Sequence, residues 1–372
     1  MLTTLLAAAS MTGWIGTYTT SDGKSTGSSG IYAFQWDTQQ GVMSAIRPAG
    51  TTTNPSFLVL HPNGRFLYAV NEDGSSAGTD RITAFAVGAA NSSGSLRAIG
   101  TVPSHGLGPC HLSIDASGKW LFVANYDSGT IAVYPIHSDG RLGPAHQVIQ
   151  QKGSGPVASR QESAHAHEVV LSPDGRFLLS VDLGADRIFV YGFDAATGSL
   201  TPNAGQAVVL PAGYGPRHLV FSKDGRTIYV VTELTPAVVT LRWNAQQGSM
   251  TRLGVVPSSD PSEHGDGAEI VLHPNGGFLY VSNRGDSNTI AIFRIDQEGL
   301  PVPAGHVSSN GKLPRFFNID PSGKFLIAAN QGSGNLVTFA IDPASGGLTR
   351  VGSAVSVPAP VSFVFATPRA PD

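Results

Sequence analysis

Nine ionisable residues carry the chemistry this chain could do: His165, His167, Glu168, Arg217, His218, Glu233, Glu269, Arg284 and Arg315. Arginine presents a planar fork that grips a carboxylate or a phosphate through paired hydrogen bonds. Histidine and glutamate exchange protons near neutral pH when their surroundings tune them. Gathered on one face, such a set suits a small anionic substrate at which protons are moved. Any one of these residues could be a solvated group or a link between neighbouring elements, but solvation alone does not call for three arginines beside histidines and carboxylates.

Other chemistries have less behind them. His165 and His167, two apart on a strand, would point the same way, as metal ligands do, yet no clear third ligand accompanies them and no metal site is expected. The stretch 260–269 holds Asp260, Glu263, His264 and Asp266 and reads as a solvated rim. Cys110, the single cysteine, precludes an intrachain disulfide and reads as a packed thiol at a strand start. The G-x-S-x-G spacing occurs only in the Ser- and Gly-rich stretches GKSTG at 23–27 and GSSAG at 74–78, which do not read as a nucleophile elbow, and no phosphate loop occurs, so serine-hydrolase and nucleotide chemistry are unsupported.

What must position the nine is a repeat. A turn followed by an apolar strand recurs as HPNGRFLY at 61–68, DASGKWLF at 115–122, SPDGRFLL at 172–179, SKDGRTIY at 222–229, HPNGGFLY at 273–280 and DPSGKFLI at 320–327. Their glycines, Gly64, Gly118, Gly175, Gly225, Gly276 and Gly323, are spaced 54, 57, 50, 51 and 47 apart. A second strand recurs seven times, from IYAF at 31 to LVTF at 336. Each unit reads as four strands, and four-stranded units around an axis make an all-β, seven-bladed β-propeller of antiparallel sheets. Six turns against seven second strands imply that one blade is closed by N- and C-terminal segments, with VSFVFAT at 361–367 supplying its inner strand. A single domain over 13–368 is expected. In that topology the start of each inner strand and the end of the next share one face of the disc, which puts the nine residues on an arc from four consecutive blades.

Composition agrees. Of 372 residues, 45 are glycine and 25 proline, which suits many short strands joined by turns. Only 13% are charged, the formal net charge is −3, and no basic field exists to hold nucleic acid or a membrane surface. No run approaches the ~18–20 apolar residues of a membrane span. Residues 1–12, with LTTLLAAAS at 2–10, have the apolar character of a signal-peptide remnant but lack its positive start. The expectation is a soluble cytoplasmic protein, periplasmic or secreted if that segment is such a remnant, and a monomer or weak homodimer.

GTYT at 16–19, NPSFLVLHPNGRFLYAVNE at 54–72, GPCHLSID at 108–115, ANYDSGTIAVY at 124–134, GPRHLVF at 215–221, TEL at 232–234, AEIVLHPNGGFLYVSNRG at 268–285 and PRFFNIDPSGKFLIAANQ at 314–331 run through nearly the whole chain in order. In these motifs the sequence resembles the propeller-type lactonase family, which includes bacterial 6-phosphogluconolactonase and fungal 3-carboxy-cis,cis-muconate cyclase. The resemblance implies a catalytic set of His167, Arg217, Glu233 and Arg284, and no cofactor. His165, His218, Glu269 and Arg315 are expected to bind substrate. The reaction expected is hydrolysis of 6-phosphoglucono-1,5-lactone, with His167 or Glu233 as base. The alternatives are cyclisation of a carboxymuconate, another sugar lactone, or a non-catalytic propeller serving as an interaction platform.

Overall fold

Each recurrent turn joins two strands that are apolar on both sides, and such strands are stable only when sheets stack against both faces. The computed structural model, which describes residues 10–366 apart from 22, 74–79, 89–93, 204, 206 and 261, shows how they stack. Seven antiparallel sheets form a β-propeller, six with four strands and the one built on Ala166–Leu171 with a fifth, Val208–Val209. In all but blade 1, whose inner strand comes last, the strands follow one another outward from the axis, and there is no helix among the described residues. The inner strands are Pro360–Phe365 in blade 1, Leu58–Leu60 in blade 2, Pro109–Ile114 in blade 3, Ala166–Leu171 in blade 4, Pro216–Phe221 in blade 5, Gly267–Leu272 in blade 6 and Pro314–Ile319 in blade 7. Burial is lost at the outer edge of the blade. All six residues of the second strand Phe278–Asn283 are buried, whereas the outermost strand of that blade, Pro301–Ser308, has none buried.

The core is partitioned among the seven interfaces between blades. Ile15, Phe34 and Trp36 of blade 1 pack on Phe316, Phe325 and Ile327 of blade 7. On the other side of blade 1, Trp14 and Ile31 pack on Leu58 and Leu67 of blade 2. Five further clusters join blades 2 to 3, 3 to 4, 4 to 5, 5 to 6 and 6 to 7. Polar links reinforce them. His61 in the blade 2 turn meets the Gly118 carbonyl of the blade 3 turn at 2.9 Å, and His273 repeats the contact with Gly323 at 2.8 Å. The histidines of both HPNG turns are thus ties between neighbours.

Closure follows the expected route. The strand Ser10–Thr17 pairs with Pro360–Phe365, Trp14 opposite Val364 and Ile15 opposite Phe363, so the two ends of the described chain complete blade 1. The first strand begins at Ser10, three residues before the boundary drawn from sequence. Residues 1–9 lie outside the described residues, and with them most of the apolar N-terminal stretch.

Candidate active site

The inner strands bring chemistry to the axis through a repeated irregularity. In blade 3 the pairing register shifts between Pro109 and His111, in blade 4 between Ala166 and Glu168, in blade 5 between Pro216 and His218, and in blade 7 between Pro314 and Phe316. A bulge sets two residues against one on the neighbouring strand and re-aims the side chains there. Two consecutive residues of each strand then face the channel at different depths. The upper layer contains Cys110, His167, Arg217 and Arg315. The lower layer contains His111, Glu168, His218 and Phe316, joined by Glu269 from the blade 6 irregularity between Gly267 and Ile270.

Above the upper layer is a cavity of about 270 Å³ lined by Glu72, Cys110, Tyr126, Asp127, Arg160, His167, Glu233, Asp266, Arg284 and Arg315. Beside it, sharing Glu72, Asp127 and Arg315, is a second hollow of about 370 Å³ whose walls include Asn54, Asp73 and Gln331. Below, the lower layer faces a further space of about 300 Å³. Between upper and lower layers the channel narrows to about 10 Å³ among Cys110, Arg217, His218, Glu269, Arg315 and Phe316.

Glu233 is the centre of the upper site. It follows the second strand of blade 5, and its backbone accepts from Gly267 in the next blade at 3.0 Å. Arg217 Nε donates to Glu233 Oε2 at 3.0 Å and Arg284 Nη2 lies 2.9 Å from the same oxygen. Arg160 Nη2 holds the other oxygen, Oε1. Burial alone would raise the carboxyl, but Arg284, Arg217 and Arg160 outweigh it and hold Glu233 at about 2. Arg217 also donates from Nη1 to the Ala268 carbonyl at 2.7 Å. Its own value is brought down to about 10 by burial and by Arg284 and Arg315. Arg315 lies 3.8 Å from Glu72 and stacks over Tyr18 at 5.5 Å.

His167 shares this cavity as a neutral ring. Burial and the nearby Arg217 push its pKa well below that of a free imidazole. Its Nδ1 is buried without a hydrogen-bond partner, and the ring sits edge-on to Tyr126 at 5.5 Å and to His218 at 5.1 Å. Cys110 is less available. Its thiol donates to the His167 carbonyl at 3.3 Å and is pushed up by burial, so it is a packed group as its isolation suggests.

His167, Glu233, Arg284 and Arg315 therefore meet around one space, and Arg217 joins them from the neck through its bond to Glu233. The other expected residues are placed differently. His165 precedes the blade 4 strand and stacks on Tyr126 at 4.6 Å, with Nδ1 2.9 Å from the Tyr126 carbonyl and Nε2 3.3 Å from Glu162. The alternation that would aim it beside His167 is interrupted by the bulge, and it buttresses Tyr126 from outside the cavity. His218 and Glu269 occur below the neck, hydrogen-bonded to each other at 3.0 Å. Burial raises Glu269 to about 8 and depresses His218, so this pair is held in its uncharged form. Glu168 is likewise raised by burial and by Glu269, and accepts from the Leu219 amide at 2.7 Å. No cluster of three or more His, Cys, Asp or Glu suited to a metal occurs among the described residues.

Four wall residues escaped the sequence reading: Glu72, Tyr126, Asp127 and Arg160. The first two stand at strand ends already singled out for position. Arg160 lies in the connection between blades 3 and 4, where no repeat predicts a residue. The signal was the glycine spacing, longest at 57 between Gly118 and Gly175, which marks extra chain in that connection.

Comparison with known proteins agrees with the fold. The family model described as lactonase, 7-bladed beta-propeller, matches residues 12–365. A Bacillus subtilis 6-phosphogluconolactonase is 34% identical over 95% of this chain and 97% of its own, and a Formosa agariphila 6-phosphogluconolactonase is 33% identical over 87% and 91%. The solved structure of PpgL, a periplasmic gluconolactonase from Pseudomonas aeruginosa, superposes with a TM-score of 0.88 at 34% identity, covering 96% of this chain and 99% of that one. Ring, closure and end-to-end similarity converge: this chain belongs to the seven-bladed β-propeller lactonase family.

Proposed function

We propose that the protein hydrolyses 6-phosphoglucono-1,5-lactone to 6-phosphogluconate, at the cavity centred on Glu233. The observation that carries this reading is a neutral, untethered His167 facing the same space as a carboxylate clasped by Arg160, Arg217 and Arg284. Lactone opening needs a base for water, positive charge for the developing oxyanion and a proton for the departing ring oxygen. His167 takes a proton from water as the water oxygen bonds to the ring carbonyl carbon. Arg217 and Arg284 stabilise the charge that builds on the carbonyl oxygen. The bond from that carbon to the ring oxygen then breaks, and His167 returns the proton to the ring oxygen, leaving the open acid. Glu233, fully engaged by arginines, is a poor base and serves to hold Arg217 and Arg284 together.

The adjoining hollow supports a sugar over a muconate. Glu72, Asp73, Asp127 and Gln331 offer hydrogen-bond partners for several hydroxyls, which a muconate lacks. A phosphorylated sugar does not cross membranes unaided, so this substrate goes with a cytoplasmic protein; the unphosphorylated lactone would go with an exported one. No helix among the described residues is long and apolar enough to cross a membrane. A ring with its edge strand already paired works as a monomer or weak homodimer.

The test is hydrolysis of freshly made lactone by purified protein, coupled to 6-phosphogluconate dehydrogenase and corrected for spontaneous opening. Rates far above background are expected with the phosphorylated lactone. Background rates with it, beside turnover of glucono-1,5-lactone or a carboxymuconate, would reassign the substrate.

A further inference from the structure

Three arginines, Arg160, Arg284 and Arg315, line the upper cavity and a fourth, Arg217, stands at its neck; one of the four is supported differently from the others. Arg217 and Arg315 issue from bulges of inner strands and Arg284 follows the second strand of blade 6; their side chains are 3%, 19% and 11% exposed. Arg160 is 37% exposed and belongs to no blade. The backbone that carries it is nevertheless firm. The amides of Arg160 and Gln161 both donate to the Val157 carbonyl, at 2.9 and 2.8 Å. The buried Gln161 side chain accepts from the Val157 amide at 3.2 Å and donates to the Leu183 carbonyl at 2.9 Å. A fixed base thus presents a long side chain at the rim, where water and solutes reach it.

Its bonding is divisible. Arg160 donates to the Tyr126 hydroxyl at 3.2 Å and to Glu233 Oε1, while Arg217 and Arg284 hold Oε2 by themselves. Glu233 therefore remains neutralised when Arg160 turns away. Arg217 is tied to the Ala268 carbonyl and Arg315 lies between Glu72 and Tyr18, so neither can leave so freely.

We infer that Arg160 is the specificity-determining residue that reads the anionic group of the substrate, exchanging its bond to Glu233 Oε1 for the phosphate of the lactone. This rests on the lactonase reading above and adds to it how a phosphorylated ring is told from a plain one. A phosphate accepts the guanidinium fork through two oxygens, which makes the exchange favourable. A plain sugar lactone offers nothing of comparable strength, and Arg160 stays on Glu233.

The experiment compares kcat/KM for 6-phosphoglucono-1,5-lactone and glucono-1,5-lactone in the wild type, Arg160→Ala and Arg160→Lys, followed by acid release at constant pH. The ratio of the two values should fall about 10- to 100-fold in Arg160→Ala, the range expected for a lost hydrogen bond between charged groups. Arg160→Lys should restore part of it, as a point charge without the fork. The loss should be in KM, and inhibition by 6-phosphogluconate should weaken by a similar factor while inhibition by gluconate does not. A residue that merely held the loop would lower both substrates together, and an unchanged ratio overturns the assignment. So does a wild type that prefers the plain lactone. A wild type inactive on both lactones rejects the lactonase reading, and the inference with it; activity with an unmoved ratio rejects Arg160 alone.

Discussion

Three arginines around Glu233 cost it most of its basicity, and that sets how substitutions at the site should behave. Glu233→Gln removes the charge that holds Arg217 and Arg284 in place, so kcat should drop about 10²–10³-fold, as when aimed donors are lost from an oxyanion site. His167→Ala should lower kcat about 10²–10⁴-fold, the range for a lost general base. Because burial and Arg217 keep His167 neutral, the acid limb of kcat/KM should lie well below pH 6.5. A limb at the ordinary imidazole value would assign the base elsewhere. Glu269 gives a stability test with a definite sign. Its folded value of about 8 lies above the ordinary 4.5, so the folded state holds a proton that the unfolded state has released. Stability is lost as pH rises from about 4.5 to 8 and levels off beyond. Glu269→Gln should remove that contribution, so its melting temperature relative to the wild type should climb across this window and then stay constant.

At the scale of strands and turns, the blade repeat was legible and the layering was not. Seven blades could be read because Asx-Gly turns and apolar strands recur at near-constant spacing, and each glycine does a fixed job. Gly118 has φ of +71°, and a methyl group there would sit 2.5 Å from the His61 ring. Gly118→Ala should therefore cost about 1–3 kcal/mol, the usual range for a non-glycine residue in the left-handed region, measured by denaturant unfolding. Adding His61→Ala should cost less than the sum of the two single changes, because the ring it clashes with is gone. The division of the nine ionisable residues between cavity and lower channel could not be read, because a strand pattern of period two assumes an unbroken ladder. The bulges break it at Cys110, His167, Arg217 and Arg315, which is why His218 and Glu269 fall below the neck and His165 outside. Arg160 was hidden for a simpler reason: periodicity places residues within blades and says nothing of the connections between them.

The molecule as a whole is held by seven similar interfaces and one closure. Removing the residues from Pro360 onward deletes the inner strand of blade 1 and uncovers the row of backbone groups along Ser10–Thr17. Such a chain should elute as aggregate in size-exclusion chromatography, and a soluble, cooperatively melting product would show that the ring stands without its clasp. The candidate cavity lies on the axis and the clasp borders it, since Arg315 of blade 7 stacks over Tyr18, just past the first strand, and Val361 lines the neck below. The same closure has a bearing on how the protein is made. The strand that fastens the ring is synthesised after every other strand of it, while its partner is synthesised before them. Until Pro360–Phe365 is made the growing chain is an open arc with an unpaired edge along Ser10–Thr17, and blade 7 has no neighbour on its far side. Emergence of that strand is thus the event that permits completion, and the interval before it is when chaperones or proteases would find this protein most easily.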